Sequence, residues 1–164
     1  MTASTVIAVC AVVIAGASLV VSVYEARAMR KHNRYSVRPL LELSMSFKAG
    51  DTAGLILGNY GLGPAAVTTS SLSFDGKLLG EFNESGVNEV RAVLSVRPSA
   101  VTLGGHPFLD TGYKRFLLSV QPYDPDQHRE FYELIRHRLR VEIQYDSIYG
   151  GERFKVVHSP DPLS

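Results

Sequence analysis

Residues 6–23 read VIAVCAVVIAGASLVVSV, apolar or small at every position. At about 1.5 Å of rise per residue, a helix of this length covers roughly 27 Å, close to the hydrocarbon thickness of a bilayer, about 30 Å. Thr5 and Tyr24 bracket the stretch, and tyrosine is at home at a membrane interface. The stretch predicts a transmembrane helix over residues 1–24.

The competing reading is a cleaved signal peptide, which opens with positive charge and ends in a small-residue cleavage site. Here no Asp, Glu, Lys or Arg precedes Glu25, and the bases come afterwards, at Arg27, Arg30, Lys31, Arg34 and Arg38. Ala26-Arg27-Ala28 has the small-x-small form, but it is embedded in that basic run. The polarity predicts an uncleaved, single-pass anchor. Lys and Arg flanking a span are retained on the cytoplasmic side, so the N-terminus is expected outside and the C-terminal domain in the cytoplasm. The Asn83-Glu84-Ser85 sequon has no meaning in that compartment.

Residues 25–38 form a basic juxtamembrane helix or linker. Its helix is expected to stop before Pro39, which disfavours helical backbone at Arg38. The five bases set topology and are candidate contacts for anionic lipid head groups, at about 1 kcal/mol each near the surface. Within the span, Ala8, Ala11, Ala15, Ser18 and Ser22 recur at spacings of three and four, one helical face on which small residues let helix backbones approach closely. One reading of the pattern is a homo-oligomer through the span; the plainer one is that the span is rich in Ala, Ser, Gly and Val throughout.

The chain has 164 residues, enough for one domain plus an appendage. Charged residues make up 20%, below the usual fraction of about 25%, and the deficit lies wholly before Glu25. From Pro39 onward 15 acidic residues outnumber 12 basic ones, so the domain lacks the basic face that a nucleic-acid partner requires. The single cysteine, Cys10, lies in the span, which excludes an intrachain disulfide, a cysteine-based zinc site and a CxxC redox pair.

Residues 39–158 read as β structure. Leu41, Leu43, Met45 and Phe47 alternate with Glu42, Ser44, Ser46 and Lys48, the period of a half-buried strand. A second strand begins at Leu55, a third covers residues 67–74, and Asp75 with Gly76 predicts a tight hairpin into residues 77–80. Val87, Val90, Val93 and Leu94 fall at helical spacing and predict a short helix over residues 85–94. Residues 101–103 and 115–120 read as strands. Asp124 and Pro125 look like the cap and first residue of a helix running to about Arg138. Leu139, Val141, Ile143 and Tyr145 alternate with Arg140, Glu142 and Gln144, and residues 153–157 close the set. Seven or eight short strands with two short helical insertions predict an antiparallel, immunoglobulin-like β-sandwich, with a small barrel as the alternative. Residues 159–164 are expected to be a loosely held tail.

HNRYSVRP at residues 32–39, NYGLGPA at 59–65 and VEIQYDSIYG at 141–150 resemble motifs of a recurrent group of small, uncharacterised bacterial membrane proteins. In that group a single membrane helix leads into an HNRxSVRP-like stretch, an NxGxGPA turn, and a β domain closing on a YDxxYG strand-turn. The resemblance covers most of the chain outside residues 80–107. It implies a shared fold and inner-membrane topology, and it brings no activity with it.

Gly61, Gly63 and Ala66 formally match the dinucleotide pattern G-x-G-x-x-A, whose mechanism needs a helix to open directly after the glycines. The next residues, VTTSS at 67–71, are strand-forming rather than helix-forming. Asn59, Gly61, Gly63 and Pro64 are therefore expected to build a structural turn, as are Asp75, Gly76, Asp146 and Gly150. A binding patch of Tyr145, Asp146 and Tyr149 is the less favoured reading of that last turn. His32, His106, His128, His137 and His158 show no metal-ligand spacing, and His128 and His137 are expected to be solvated. Glu130 and Glu133 with Arg129, Arg136 and Arg138 read as an exposed helix face of mixed charge. No phosphate-binding loop or nucleophile elbow occurs. No cofactor, metal or catalytic residue is predicted.

The expectation is a non-enzymatic interaction module on the cytoplasmic face of the membrane, with a cytoplasmic protein partner. Two alternatives stand beside it: an oligomerising membrane effector of defence or toxin type, triggered through its β domain, and an unrecognised hydrolase.

Overall fold

The computed structural model describes residues 3–105 and 107–161, except for the side chains of Thr5, Arg34 and Tyr35. The chain divides into two compact units, Met1–Ser36 and Val37–Ser164. The first is a single helix, α1 (Ala3–Ser36), long and apolar enough to cross a membrane, and its apolar side chains are uncovered. It stops two residues before Arg38, where the following proline disfavours helical backbone.

The second unit is built of two antiparallel sheets that share one core. The strands are β1 (Leu41–Ser46), β2 (Ala53–Asn59), β3 (Ala65–Phe74), β4 (Lys77–Gly80), β5 (Ser99–Ala100), β6 (Phe108–Leu109), β7 (Lys114–Val120), β8 (Leu139–Asp146) and β9 (Phe154–His158). One sheet runs β1-β2-β7-β5 and the other β4-β3-β8-β9, with β6 pairing the start of β3. Leu55, Leu57, Leu117 and Leu118 from the first sheet and Val67, Leu72, Val141 and Ile143 from the second fall into the same buried cluster. Each such side chain withdrawn from water is worth about 1.5–3 kcal/mol before entropy is counted.

Strand patterning accounts for most of this. In β8, Leu139, Val141, Ile143 and Tyr145 point inward while Arg140 and Gln144 face solvent. Central strand β2 is buried along its whole length: Leu55 and Leu57 enter the core, and Gly58 lies under the Tyr60 ring. Edge strand β1, paired only with β2 in its sheet, keeps its alternation at Leu41, which is buried, and loses it at Met45, which is exposed. Asp75 and Gly76 both take positive φ, 50° and 77°, the geometry a two-residue hairpin turn demands.

Four local expectations are corrected. Helix α2 (Glu84–Arg91) begins where Asn83 accepts a hydrogen bond from the Gly86 amide, but residues 101–103 do not form a strand; pairing with β7 occurs at β5 instead. Asp124 caps a turn, accepting from the amides of Asp126 and Gln127. The α-helix α3 (Arg129–Glu133) starts only afterwards and widens into a π-helical turn (Leu134–Arg138), which buries Leu134 and Ile135. The expected loose tail is held as far as Asp161, whose amide donates to the Arg136 carbonyl at 2.8 Å and whose carboxylate meets the Arg136 guanidinium at 3.0 Å.

Candidate functional site

One end of the domain gathers most of the motifs singled out in the sequence. β1, β3 and β9 start there, and β2 and β8 finish there, as the pairs Leu41 with Asn59, Ala66 with Asp146, and Tyr145 with Phe154 require. This end therefore carries residues 37–40, the loop 60–64, β6 with residues 110–113, and the turn 147–153. It is also the end at which the chain enters the domain at Val37.

Asn59 organises it. The side chain is 1% exposed, and its carbonyl oxygen accepts from the amides of Leu40 (3.2 Å) and Gly61 (3.0 Å). Its amide nitrogen donates to the carbonyls of Gly63 (2.9 Å), Leu109 (3.0 Å) and Asp110 (3.2 Å). Backbone bonds from Tyr60 to Leu40 and from Leu62 to Arg38 lay the loop along residues 37–40. The fit leaves no room for side chains: a Cβ on Gly61 would collide with the Leu40 nitrogen, and one on Gly63 with the Val37 oxygen. Pro64 then leads into β3. Since a strand succeeds the glycines, no helix N-terminus is available there to receive a pyrophosphate.

The turn 147–153 is closed by its own acids. Asp146 accepts from the amides of Gly151 (3.1 Å) and Arg153 (2.6 Å), which hold its carboxyl below the ordinary value. Glu152 accepts from the Ser147 hydroxyl and amide, and Gly150 takes a φ of 69°. Tyr145 is buried, and its hydroxyl accepts from the Leu41 amide at 3.2 Å, so it belongs to the core rather than to a surface patch. Asp75, at the opposite end, is held below its ordinary pKa by the Arg138 guanidinium, which meets it through two hydrogen bonds of 2.8 and 2.6 Å.

The histidines are placed by structure. His128 is half-buried, stacks on Tyr123 and accepts from the Asp124 amide at 3.0 Å. His137 is also half-buried, between Glu133 and the Asp161 carbonyl, so the expectation of two solvated rings is corrected. His158 is buried against the Ile135 carbonyl, His32 is exposed on α1, and His106 lies outside the described residues. Among the described residues no group of three or more His, Cys, Asp or Glu side chains is placed to hold a metal ion.

On α1, Arg27, Arg30 and Lys31 are exposed, as are Ala8, Ala11, Ala15, Ser18 and Ser22 on their common face. The Arg34 side chain lies outside the described residues, and Arg38 is exposed at the start of the domain, with its guanidinium over the Phe154 ring.

Sequence patterning does not reveal which apolar residues of the loop end stay uncovered. Leu62 is 76% exposed, Phe108 69% and Ile148 54%, with Leu40 and Tyr60 also exposed. They come from four segments of the same end: residues 37–40, the loop 60–64, β6 and the turn 147–153.

An apolar N-terminal helix followed by an antiparallel β domain defines the class of this chain. No known protein family matches it, and no curated protein matches it.

Proposed function

We propose that the chain is a single-pass protein of the cell (inner) membrane. α1 is the anchor, the N-terminus lies outside, and the domain is an immunoglobulin-like sandwich that serves as a non-enzymatic interaction module in the cytoplasm. The observation that carries this reading is the contrast between the two units. The domain buries its own apolar residues in one core, whereas α1 exposes Val6, Ile7, Val12, Val13, Ile14 and Leu19 with nothing among the described residues to cover them. An apolar helix of that length is stable when lipid covers it. The bases after the span, and their absence before it, support the orientation. The polar groups of the turns are spent on backbone amides and carbonyls, a pattern that favours a rigid binding scaffold over a reactive site.

The test is extraction of membranes with alkaline carbonate, combined with the intact mass of the protein. The expected result is a full-length chain that stays in the pellet and is released only by detergent, and then captures a cytoplasmic protein from solubilised membranes. A soluble chain, or one beginning beyond Ala28, overturns the reading.

The second reading, an oligomerising effector, is favoured by the uncovered small-residue face at Ala8, Ala11, Ala15, Ser18 and Ser22. It predicts that overexpression depolarises and poisons cells and that Ala11→Leu with Ala15→Leu abolishes the effect. Absence of toxicity from the unaltered chain removes it.

A further inference from the structure

The two sheets have four outer edges, β1, β5, β4 and β9, and these are not equally guarded. β5 is two residues long, β4 is four long with a register shift and Lys77 at its start, and β9 carries Lys155. Short strands, bulges and lysines keep an edge from pairing with other chains. β1 has none of these. Its six residues, LELSMS, pair with β2 without a break in register and include no proline and no base.

The register also fixes which backbone groups of β1 are left over. The Tyr60 amide donates to the Leu40 carbonyl, and the direction alternates along an antiparallel ladder. Leu40, Glu42, Ser44 and Ser46 therefore turn their backbone toward β2, whereas Leu41, Leu43 and Met45 turn theirs outward. The outward amide of Leu41 is taken by the Tyr145 hydroxyl. Leu43 and Met45 have no such partner among the described residues. Their side chains share the inward face with buried Leu41, yet Leu43 is only half-buried and Met45 is 43% exposed.

We infer that β1 is a self-pairing edge: two copies of this chain join their β1 strands antiparallel about a two-fold axis at Ser44, fusing two four-stranded sheets into one. A second copy is the occupant because the edge complements itself. In this register Leu43 of each copy faces Met45 of the other, so the outward groups that lack partners satisfy one another through backbone hydrogen bonds. The same pairing sets each exposed Met45 beside the other copy's Leu43 and covers apolar surface that one copy leaves in water. On the outer face Ser44 meets its counterpart, and Glu42 falls beside Ser46 of the second copy with Lys48 diagonal to it. That contact joins opposite charges, and the present partner of Lys48, Asp51, holds it only in open solvent. Neighbouring registers fit less well. One needs the Leu41 amide that Tyr145 already holds, and the other runs past Ser46, where β1 ends. This contact is separate from the small-residue face of α1 and forms whether or not that helix lies in a membrane.

Register-specific disulfides test this on the full chain, purified in mild detergent, with Cys10→Ser removing the single natural thiol. The pair at the two-fold axis is not hydrogen-bonded and brings its Cα atoms to about 4.5 Å, within reach of a disulfide. Two copies of position 42, or two of position 46, lie four residues apart along the strands, roughly 14 Å. The expected result under mild oxidation is covalent dimer from Ser44→Cys, about ten-fold less from Glu42→Cys or Ser46→Cys alone, and its recovery when those last two chains are mixed. The mixture reads the same register with Ser44 unaltered. Adding Met45→Lys, a charge at an exposed position, is expected to abolish the Ser44→Cys dimer. Equal dimer from all three single variants reports random collision and overturns the inference, as does a dimer that survives Met45→Lys. Absence of crosslink from both Ser44→Cys and the mixture also overturns it and leaves β1 to an extended segment of another protein.

Discussion

The side-chain amide of Asn59 donates to the Gly63 carbonyl at 2.9 Å while its carbonyl oxygen accepts from the Gly61 amide at 3.0 Å, so one buried residue holds both ends of the loop that grips the incoming chain. Further bonds to Leu40, Leu109 and Asp110 make it the point where β1, β2 and β6 are fixed together.

Asn59→Ala should therefore be among the most damaging polar substitutions in the domain. It leaves five backbone groups without their partner, and buried unsatisfied groups cost about 1–3 kcal/mol each when water cannot reach them. Partial hydration lowers the total, and a loss of about 3 kcal/mol is expected by urea denaturation of the full chain in mild detergent. A loss below about 1 kcal/mol would mean that the loop does not depend on this residue.

The two kinds of glycine should separate cleanly. Gly63→Ala drives a methyl group into the Val37 carbonyl and requires the backbone of residues 37–40 to move, for a cost above about 3 kcal/mol. Gly76→Ala meets nothing within 4 Å and incurs only the left-handed backbone penalty, about 1–2 kcal/mol. Thermal unfolding of both variants checks the ranking, and equal losses would contradict it.

Tyr145→Phe tests the link between the two sheets. Its hydroxyl accepts from the Leu41 amide at the start of β1, while the ring stays packed in the core. The expected cost is about 1 kcal/mol, with faster hydrogen exchange at the Leu41 amide. Unchanged exchange there would show that another group satisfies that amide.

Acid should weaken the domain through its turn carboxylates. Asp146 is held below its ordinary value of 3.8 by the amides of Arg153 and Gly151, and Asp75 below the same value by the Arg138 guanidinium. Each binds its proton more weakly folded than unfolded. Their contribution is thus complete above the ordinary value and is lost as the pH falls below it through the folded pKa. Both groups are solvent-accessible, so each contribution is modest. A stability profile flat from pH 6 to pH 2 would contradict this, and Asp146→Asn together with Asp75→Asn should reduce the slope without removing it, because the carboxyls of Asp124, Glu130 and Glu142 are also held below their ordinary values.

Much of the architecture was readable from periodicity. An uncharged run ending in arginines defines α1, the alternation in residues 139–146 defines β8 and its buried face, and Asp75 with Gly76 fixes the hairpin. The features that escaped were decided by tertiary contact. Met45 sits at an inward position of its alternation yet is exposed, while Leu41 on the same edge strand is buried, so the uncovering is local to the far end of β1. The π-helical turn at residues 134–138 leaves no mark in the sequence, because Phe131, Leu134 and Ile135 fall at the ordinary i, i+3, i+4 spacing of a helix and are buried as that spacing predicts. β6 is two residues long and has no period at all, and it carries Phe108, the exposed ring that the local sequence did not distinguish from a core residue.

The glycine-rich loop shows the same division. Its turn chemistry was legible in Asn59, Gly61, Gly63 and Pro64, because asparagine with glycines after it names a tight reversal. Its purpose as a grip on residues 37–40 was not, because those segments lie about twenty residues apart and meet only in the fold.

The central claim is that α1 remains in place as an anchor with the domain on the inner side of the membrane. A protease tag fused after the last residue, challenged with protease outside intact cells, tests it most directly. The account predicts that the tag survives on the intact cells and is cut once they are permeabilised, with the protein still full length. A tag removed from the intact cells would place the domain outside and contradict the account.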